Sequence, residues 1–181
     1  MNVILTGLRG TGKSSIGKIL AHQLAYAFVD TDTRIEERAQ KRIAEIVAHD
    51  GWEHFRALER QVVTQVAAAD RQVVAAGGGT LIDVANAELL KRRGVVVLLL
   101  CELPILQRRI AQGNNRPSLT GQGAAEIELV HVWETRRARY HAVADLLYDV
   151  SAESANCLDD VERKATAIAT LVRQSPHFAM D

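Results

Sequence analysis

At 181 residues, 48% of them hydrophobic and 24% charged, the chain can bury one sizeable core and is expected to form a single domain over residues 1–181. Lysine plus arginine equals aspartate plus glutamate at 22 each, so charge gives no ground for a nucleic acid or a membrane surface as partner. The chain is expected to enter its first strand at residue 2, leaving no room for a signal peptide, and the longest apolar run, Val95 to Cys101, is far too short to span a bilayer; a cytoplasmic protein is expected.

Val3 to Thr6 reads as a short buried strand, and Ile16, Ile19, Leu20 and Leu24 repeat at helical spacing after it. Between them, Gly7-Leu8-Arg9-Gly10-Thr11-Gly12-Lys13-Ser14 spells a complete phosphate-binding loop in the strand-to-helix context that its mechanism requires. The glycines let the backbone curl with N–H groups turned inward around phosphate oxygens. Lys13 supplies a mobile charge for the β and γ phosphates, Ser14 a hydroxyl for Mg²⁺, and the helix N-terminus a favourable field. A glycine-rich turn that happens to precede a helix is the bland alternative, and the full spacing and both flanks disfavour it.

A second strand, Tyr26 to Val29, leads into Asp30-Thr31-Asp32 at the same sheet edge as the loop. Two carboxylates one residue apart can divide two tasks, one facing a Mg²⁺ shell and one accepting from a substrate hydroxyl. Asp32 or Thr33 can equally cap the helix that holds Ile35 and Ala39, and the two roles are compatible. A helix from about Gly51 to Ala69 carries Phe55-Arg56-Ala57-Leu58-Glu59, where Arg56 and Glu59 share a face and an exposed ion pair is the default reading. The third strand, Val73 to Ala76, ends in Gly77-Gly78-Gly79, more glycines than a tight turn needs and suited to close approach of backbone to a ligand.

Val95 to Leu100 is a near-continuous apolar run of the kind buried on both faces of a parallel sheet. After it, Gly113 to Gly123 holds three glycines, two asparagines and a proline without apolar periodicity, which suits a binding loop or lid. Arg116 in that loop either closes over the γ phosphate or is a solvated surface arginine. On the helix from about Ala124 to Val143, Leu129, Trp133, Arg136 and Tyr140 share one stripe, while Arg137 and Arg139 point elsewhere. A guanidinium among aromatics needs a partner, and a ligand carboxylate suits its planar fork. A fifth strand, Leu146 to Val150, and a last helix of roughly Asp159 to Arg173 precede a frayed tail from Ser175. Cys101 and Cys157 lack the number and spacing of a zinc site or disulfide framework and are read as reduced, structural thiols.

Strands alternating with helices argue for a parallel sheet covered on both faces, with ligands at the strands' C-terminal ends. The chain has no Asn/Thr-Lys-x-Asp sequence of guanine-binding proteins and no Leu-Ser-Gly-Gly signature of transporter ATPases. Neither Val73 to Ala76 nor Val95 to Leu100 ends in the aspartate by which a switch or motor ATPase usually holds its metal.

Taken in order and spacing, these residues resemble the shikimate kinase family over almost the whole chain. The specific part is Asp30-Thr31-Asp32, Phe55-Arg56-x-x-Glu59, Gly77-Gly78-Gly79, Arg116-Pro117, and Arg136 four residues before Tyr140. The resemblance implies a three-layer α/β/α P-loop kinase fold, with a five-stranded parallel sheet of order 2-3-1-4-5 and a mobile lid at about 113–123. It implies transfer of the γ phosphate of ATP to the 3-hydroxyl of shikimate, with Mg²⁺, a step toward chorismate and the aromatic amino acids. Lys13, Asp32 and Arg116 would be the catalytic residues, and Gly10, Thr11, Gly12, Lys13, Ser14, Ser15, Arg109 and Arg116 would bind ATP, Arg109 beside the adenine. Asp32, Arg56, Glu59, Gly78, Gly79 and Arg136 would bind shikimate, in part through a helical region at about 32–60, and Ser14 and Asp30 would hold the metal. A monomer acting on small molecules is expected. The chain departs from the family at Ser15, Ser118 and Ala138-Arg139, none of which removes a chemical group from this mechanism, and Ser151 to Asn156 offers no arginine to an adenine pocket. A kinase of gluconate or of a nucleoside monophosphate, or a nucleotide-binding regulatory module without turnover, are the rival readings.

Overall fold

The computed structural model describes residues 1–112, 125–152, 157–176 and 178. Five strands form one parallel sheet in the order β2-β3-β1-β4-β5, where β1 is Asn2–Thr6, β2 Ala27–Asp30, β3 Gln72–Ala75, β4 Gly94–Leu100 and β5 Leu146–Asp149. Seven helices connect them among the described residues: α1 Lys13–Leu24, α2 Thr31–Ala39, α3 Ile43–Ala68, α4 Val84–Lys91, α5 Leu103–Gln112, α6 Ala125–Val143 and α7 Cys157–Gln174. None of them is long and apolar enough to cross a membrane.

The pleat sorts the core. Val3 and Leu5 of β1, with Val95, Val97 and Leu99 of β4, face α1 and α7, where Ile16, Leu20, Ile168 and Val172 cover them. Ile4, Val74 and Val96 point the other way, onto Phe55, Val62, Val63 and Leu90. Side chains alternate faces along a strand, so a run apolar at every position is what a sheet covered twice requires. Each fully buried Leu, Ile or Val contributes about 1.5–3 kcal/mol relative to exposure.

Strand register sets the site. Leu5 and Asp30 both pair with Ala75, so β1, β2 and β3 end level, and three chain segments emerge side by side at one edge. These are the loop after Thr6, the Asp30-Thr31-Asp32 segment and the glycine run. Order 2-3-1-4-5 sends the chain from β1 outward to both sides, and the crevice at such a reversal is where open parallel sheets bind ligands.

Element boundaries agree with the sequence reading to within a few residues except in α3. That helix begins at Ile43 and passes through Gly51, which sits at φ 82°, ψ 169°, so two helical runs meet at a kink. The expected lid, 113–123, with Arg116, lies outside the described residues. Cys157 is exposed rather than a core residue, and Cys101 is half-buried.

Candidate active site

The loop between β1 and α1 takes its shape from glycine. Gly7, Gly10 and Gly12 have φ of 137°, 88° and 87°. At Gly7 even a methyl group is excluded, because a Cβ would stand 2.5 Å from the Leu99 carbonyl oxygen of the neighbouring strand. Thr11, buried, turns its hydroxyl onto the Leu8 carbonyl at 2.8 Å and braces the turn from inside. Gly12 caps α1 with no side-chain hydrogen bond, leaving the first turn of that helix without the cap residue that usually takes up its amides. The Lys13 ammonium donates to the Gly7 and Leu8 carbonyls, each at 2.9 Å, so it lies over the loop that it belongs to. Ser15 is exposed on the first turn.

Ser14 and Asp30 meet: the Ser14 hydroxyl donates to Asp30 Oδ2 at 2.6 Å. Asp30 Oδ1 accepts from the amides of Asp32 and Thr33 at 3.0 and 3.4 Å, which makes Asp30 the cap of α2. The expectation of a cap from Asp32 or Thr33 is corrected by this geometry. β2 runs one residue further than expected, so the extended backbone required at a cap position falls on Asp30. Asp32 is thereby released from capping, and its carboxylate lies against Gly77, where a Cβ would come within 2.4 Å of Oδ1.

Each glycine of the run meets a different side chain. Gly77 meets Asp32. The Gly78 carbonyl accepts from Arg136 Nη1 at 3.2 Å and from the Tyr140 hydroxyl at 2.5 Å. Gly79 lies under Arg56, whose Nη2 is 2.9 Å from where a Cβ would stand. Three helices, α2, α3 and α6, thus bring Asp32, Arg56, Arg136 and Tyr140 onto three residues of backbone.

Arg56 and Glu59 form a pair of another kind from the exposed one expected. Glu59 is 2% exposed at its side chain; its Oε2 accepts from Arg56 Nη1 at 2.7 Å and its Oε1 from the Thr80 hydroxyl at 2.8 Å. Both oxygens are engaged, so Glu59 holds Arg56 from below while the guanidinium, about one-third exposed, stays open on the other side. Trp52 and Phe55 flank it, their ring centroids 5.5 and 5.0 Å from its carbon. Thr80 and Trp52 escape sequence reasoning because neither belongs to a spaced pattern. The signal for Thr80 is its place directly after the glycines.

On α6 the expected stripe is in place: Leu129 and Tyr140 are buried, and Trp133 stacks on Tyr140 at 6.3 Å and 23°. Arg137 is exposed, but Arg139 is half-buried with an Nε that finds no hydrogen-bond partner among the described residues. Burial pushes the Tyr140 phenol above its ordinary value, with Arg136 partly opposing. A phenol whose pKa is raised on folding contributes stability in full below the ordinary value of 10.0. Above it the unfolded chain loses its proton first, and stability falls. Tyr140→Phe should therefore melt lower at neutral pH by about 1 kcal/mol of stability. It should also lose less than the parent between roughly pH 9 and 11, and parallel alkaline melting curves would contradict this.

Arg109 of α5 reaches the Gly10 and Val150 carbonyls, both at 3.4 Å, and so spans from the phosphate loop to the end of β5. The neighbouring Cys101 thiol is pushed up by burial, which keeps it protonated and unreactive at neutral pH.

Known proteins resemble this chain over most of its length. The family model described as shikimate kinase matches residues 9–171. A shikimate kinase of Syntrophus aciditrophicus is 39% identical over 175 residues, covering 90% of each chain. One of Synechococcus elongatus is 43% identical over 152 residues, covering 84% of this chain and 78% of its own. Among solved structures, shikimate kinase from Acinetobacter baumannii in complex with shikimate superposes with a TM-score of 0.83 at 30% identity, covering 94% of this chain and 92% of its own. The family model spans most of the chain, and the chain belongs to the shikimate kinase family.

Proposed function

We propose that this chain transfers the γ-phosphoryl group of ATP to the 3-hydroxyl of shikimate, giving 3-phosphoshikimate and ADP, in the cytoplasmic route to chorismate and the aromatic amino acids. The observation that carries the reading is the convergence of Asp32, Arg56 and Arg136 on Gly77-Gly78-Gly79, level with the phosphate loop. One carboxylate and two guanidiniums about a side-chain-free wall suit an acceptor with a hydroxyl at one end and a carboxylate at the other.

In this reading Arg56 and Arg136 bind the shikimate carboxylate, the amides of Gly78 and Gly79 bind its polar edge, and Glu59 acts by holding Arg56. Asp32 accepts the proton as the 3-hydroxyl oxygen bonds to the γ phosphorus and the bond to the ADP oxygen breaks. Gly10, Thr11, Gly12, Ser14 and Ser15 cradle the phosphates. The Lys13 ammonium, on a flexible stem, exchanges its loop carbonyls for phosphate oxygens, and Arg116 adds charge from a lid at 113–123. Arg109 stands at the adenine side.

The Ser14 hydroxyl and the Asp30 carboxylate form an all-oxygen donor pair at the phosphate edge, the chemistry that a hard cation selects. Ser14 and Asp30 would hold Mg²⁺ there, and the ion would supply charge neutralisation for the transferring phosphoryl group. Proximity and preorganised charge account for the rest. The acting unit is taken to be the monomer of residues 1–181.

A coupled ADP-release assay offering shikimate, gluconate and nucleoside monophosphates separately tests the reading. Release dependent on shikimate alone is expected. Release with gluconate or a nucleoside monophosphate and none with shikimate would replace it with the rival kinase, and no release with any acceptor would favour a silent nucleotide-binding module.

A further inference from the structure

One hydroxyl ties the end of β2 to the glycine run. The β2–β3 ladder reaches Asp30 opposite Ala75, and one residue later the Thr31 side chain continues it. Thr31 Oγ1 accepts the Gly77 N–H at 2.8 Å and donates to the Ala75 carbonyl at 3.4 Å. Thr31 is fully buried, so no water competes for these bonds.

Its neighbours give the tie its meaning. On one side Asp30 receives the Ser14 hydroxyl; on the other Asp32 lies against Gly77. Further along the run, Arg136 and Tyr140 hold the Gly78 carbonyl. Among the described residues the N–H groups of Gly78 and Gly79 donate to no protein atom, whereas that of Gly77 is consumed by Thr31. The first amide of the run is an anchor, and the next two are presented.

We propose that Thr31 is a positioning residue: by bonding Ala75 and Gly77 together, its hydroxyl sets the direction in which the glycine run offers its amides to the acceptor opposite Asp32. The inference rests on the acceptor site assigned above. A hydroxyl that served stability alone would affect both substrates alike. A hydroxyl that aims the run acts on the acceptor.

Thr31→Val keeps the shape and removes both bonds; Thr31→Ser keeps the hydroxyl. Steady-state kinetics should show kcat/KM for shikimate falling about tenfold or more in the valine variant, with KM for ATP moving less than about twofold. The serine variant should stay within about threefold of the parent. An unchanged valine variant, equal losses for ATP and shikimate, or a serine variant as impaired as valine would each overturn the proposal. If the valine variant fails to fold, amide hydrogen exchange on the parent decides. Gly77 should be protected, with Gly78 and Gly79 exchanging fast and slowing when shikimate is added; rapid exchange at Gly77 would overturn it. Absence of shikimate turnover in the parent would sink the acceptor assignment and the positioning role together, whereas parental turnover with an unaffected valine variant sinks the positioning role alone.

Discussion

Asp32→Asn should lower kcat by about two to four orders of magnitude while leaving ATP binding unchanged, because the carboxamide keeps the shape of the side chain and loses its capacity to accept a proton. The structure makes this a clean substitution. Helix α2 is capped by Asp30, so replacing Asp32 leaves the helix start intact. Gly77 offers no side chain to rearrange around the new amide, and the Ser14–Asp30 pair on the nucleotide side is untouched. Calorimetry with ATP and single-turnover ADP release are the paired measurements. Normal turnover in the variant would remove Asp32 from its assigned role, and lost ATP affinity would move it to the nucleotide side.

The second large effect is expected at Arg136. Lysine there keeps the charge and loses the planar fork, and it cannot reproduce two parallel N–H bonds to a carboxylate. Hydrogen bonds to charged groups contribute about 1.5–3 kcal/mol, so KM for shikimate should rise roughly ten- to a hundredfold. ATP affinity should stay where it is, since Arg136 contacts the Gly78 carbonyl and not the phosphate loop. The fold should survive because Tyr140 holds that same carbonyl independently. Equal weakening of both ligands, read by calorimetry, would contradict a carboxylate role.

The phosphate loop was legible because its chemistry is local: eight consecutive residues determine the turn, and the strand and helix around it declare themselves by period. The sheet was legible as parallel and doubly covered from runs such as Val95 to Leu100, but its order 2-3-1-4-5 came from resemblance, since period says nothing of neighbours. The cap of α2 was misread because Asp30, Thr31, Asp32 and Thr33 are all good capping residues, and only the length of β2 chooses among them. Glu59 was read as exposed because i, i+3 spacing locates Arg56 and is blind to Thr80, which lies 21 positions away in sequence. Thr31 is the deeper case. Its two bonds are to residues 44 and 46 positions away in sequence, which no window around it contains.

The glycine run also bears on how the acceptor pocket can be remodelled. At Gly77 and Gly79 an added methyl collides with the side chain of Asp32 or Arg56, to which acceptor recognition is assigned above as a proposal. At Gly78 the same methyl would meet nothing closer than 3.9 Å, in the space between the Gly7 carbonyl and the Tyr140 hydroxyl. Among the described residues, the middle glycine is therefore the one of the three where a methyl can be introduced without displacing protein atoms. An engineered preference for a trimmed acceptor analogue would start there, with both guanidiniums and the carboxylate left in place.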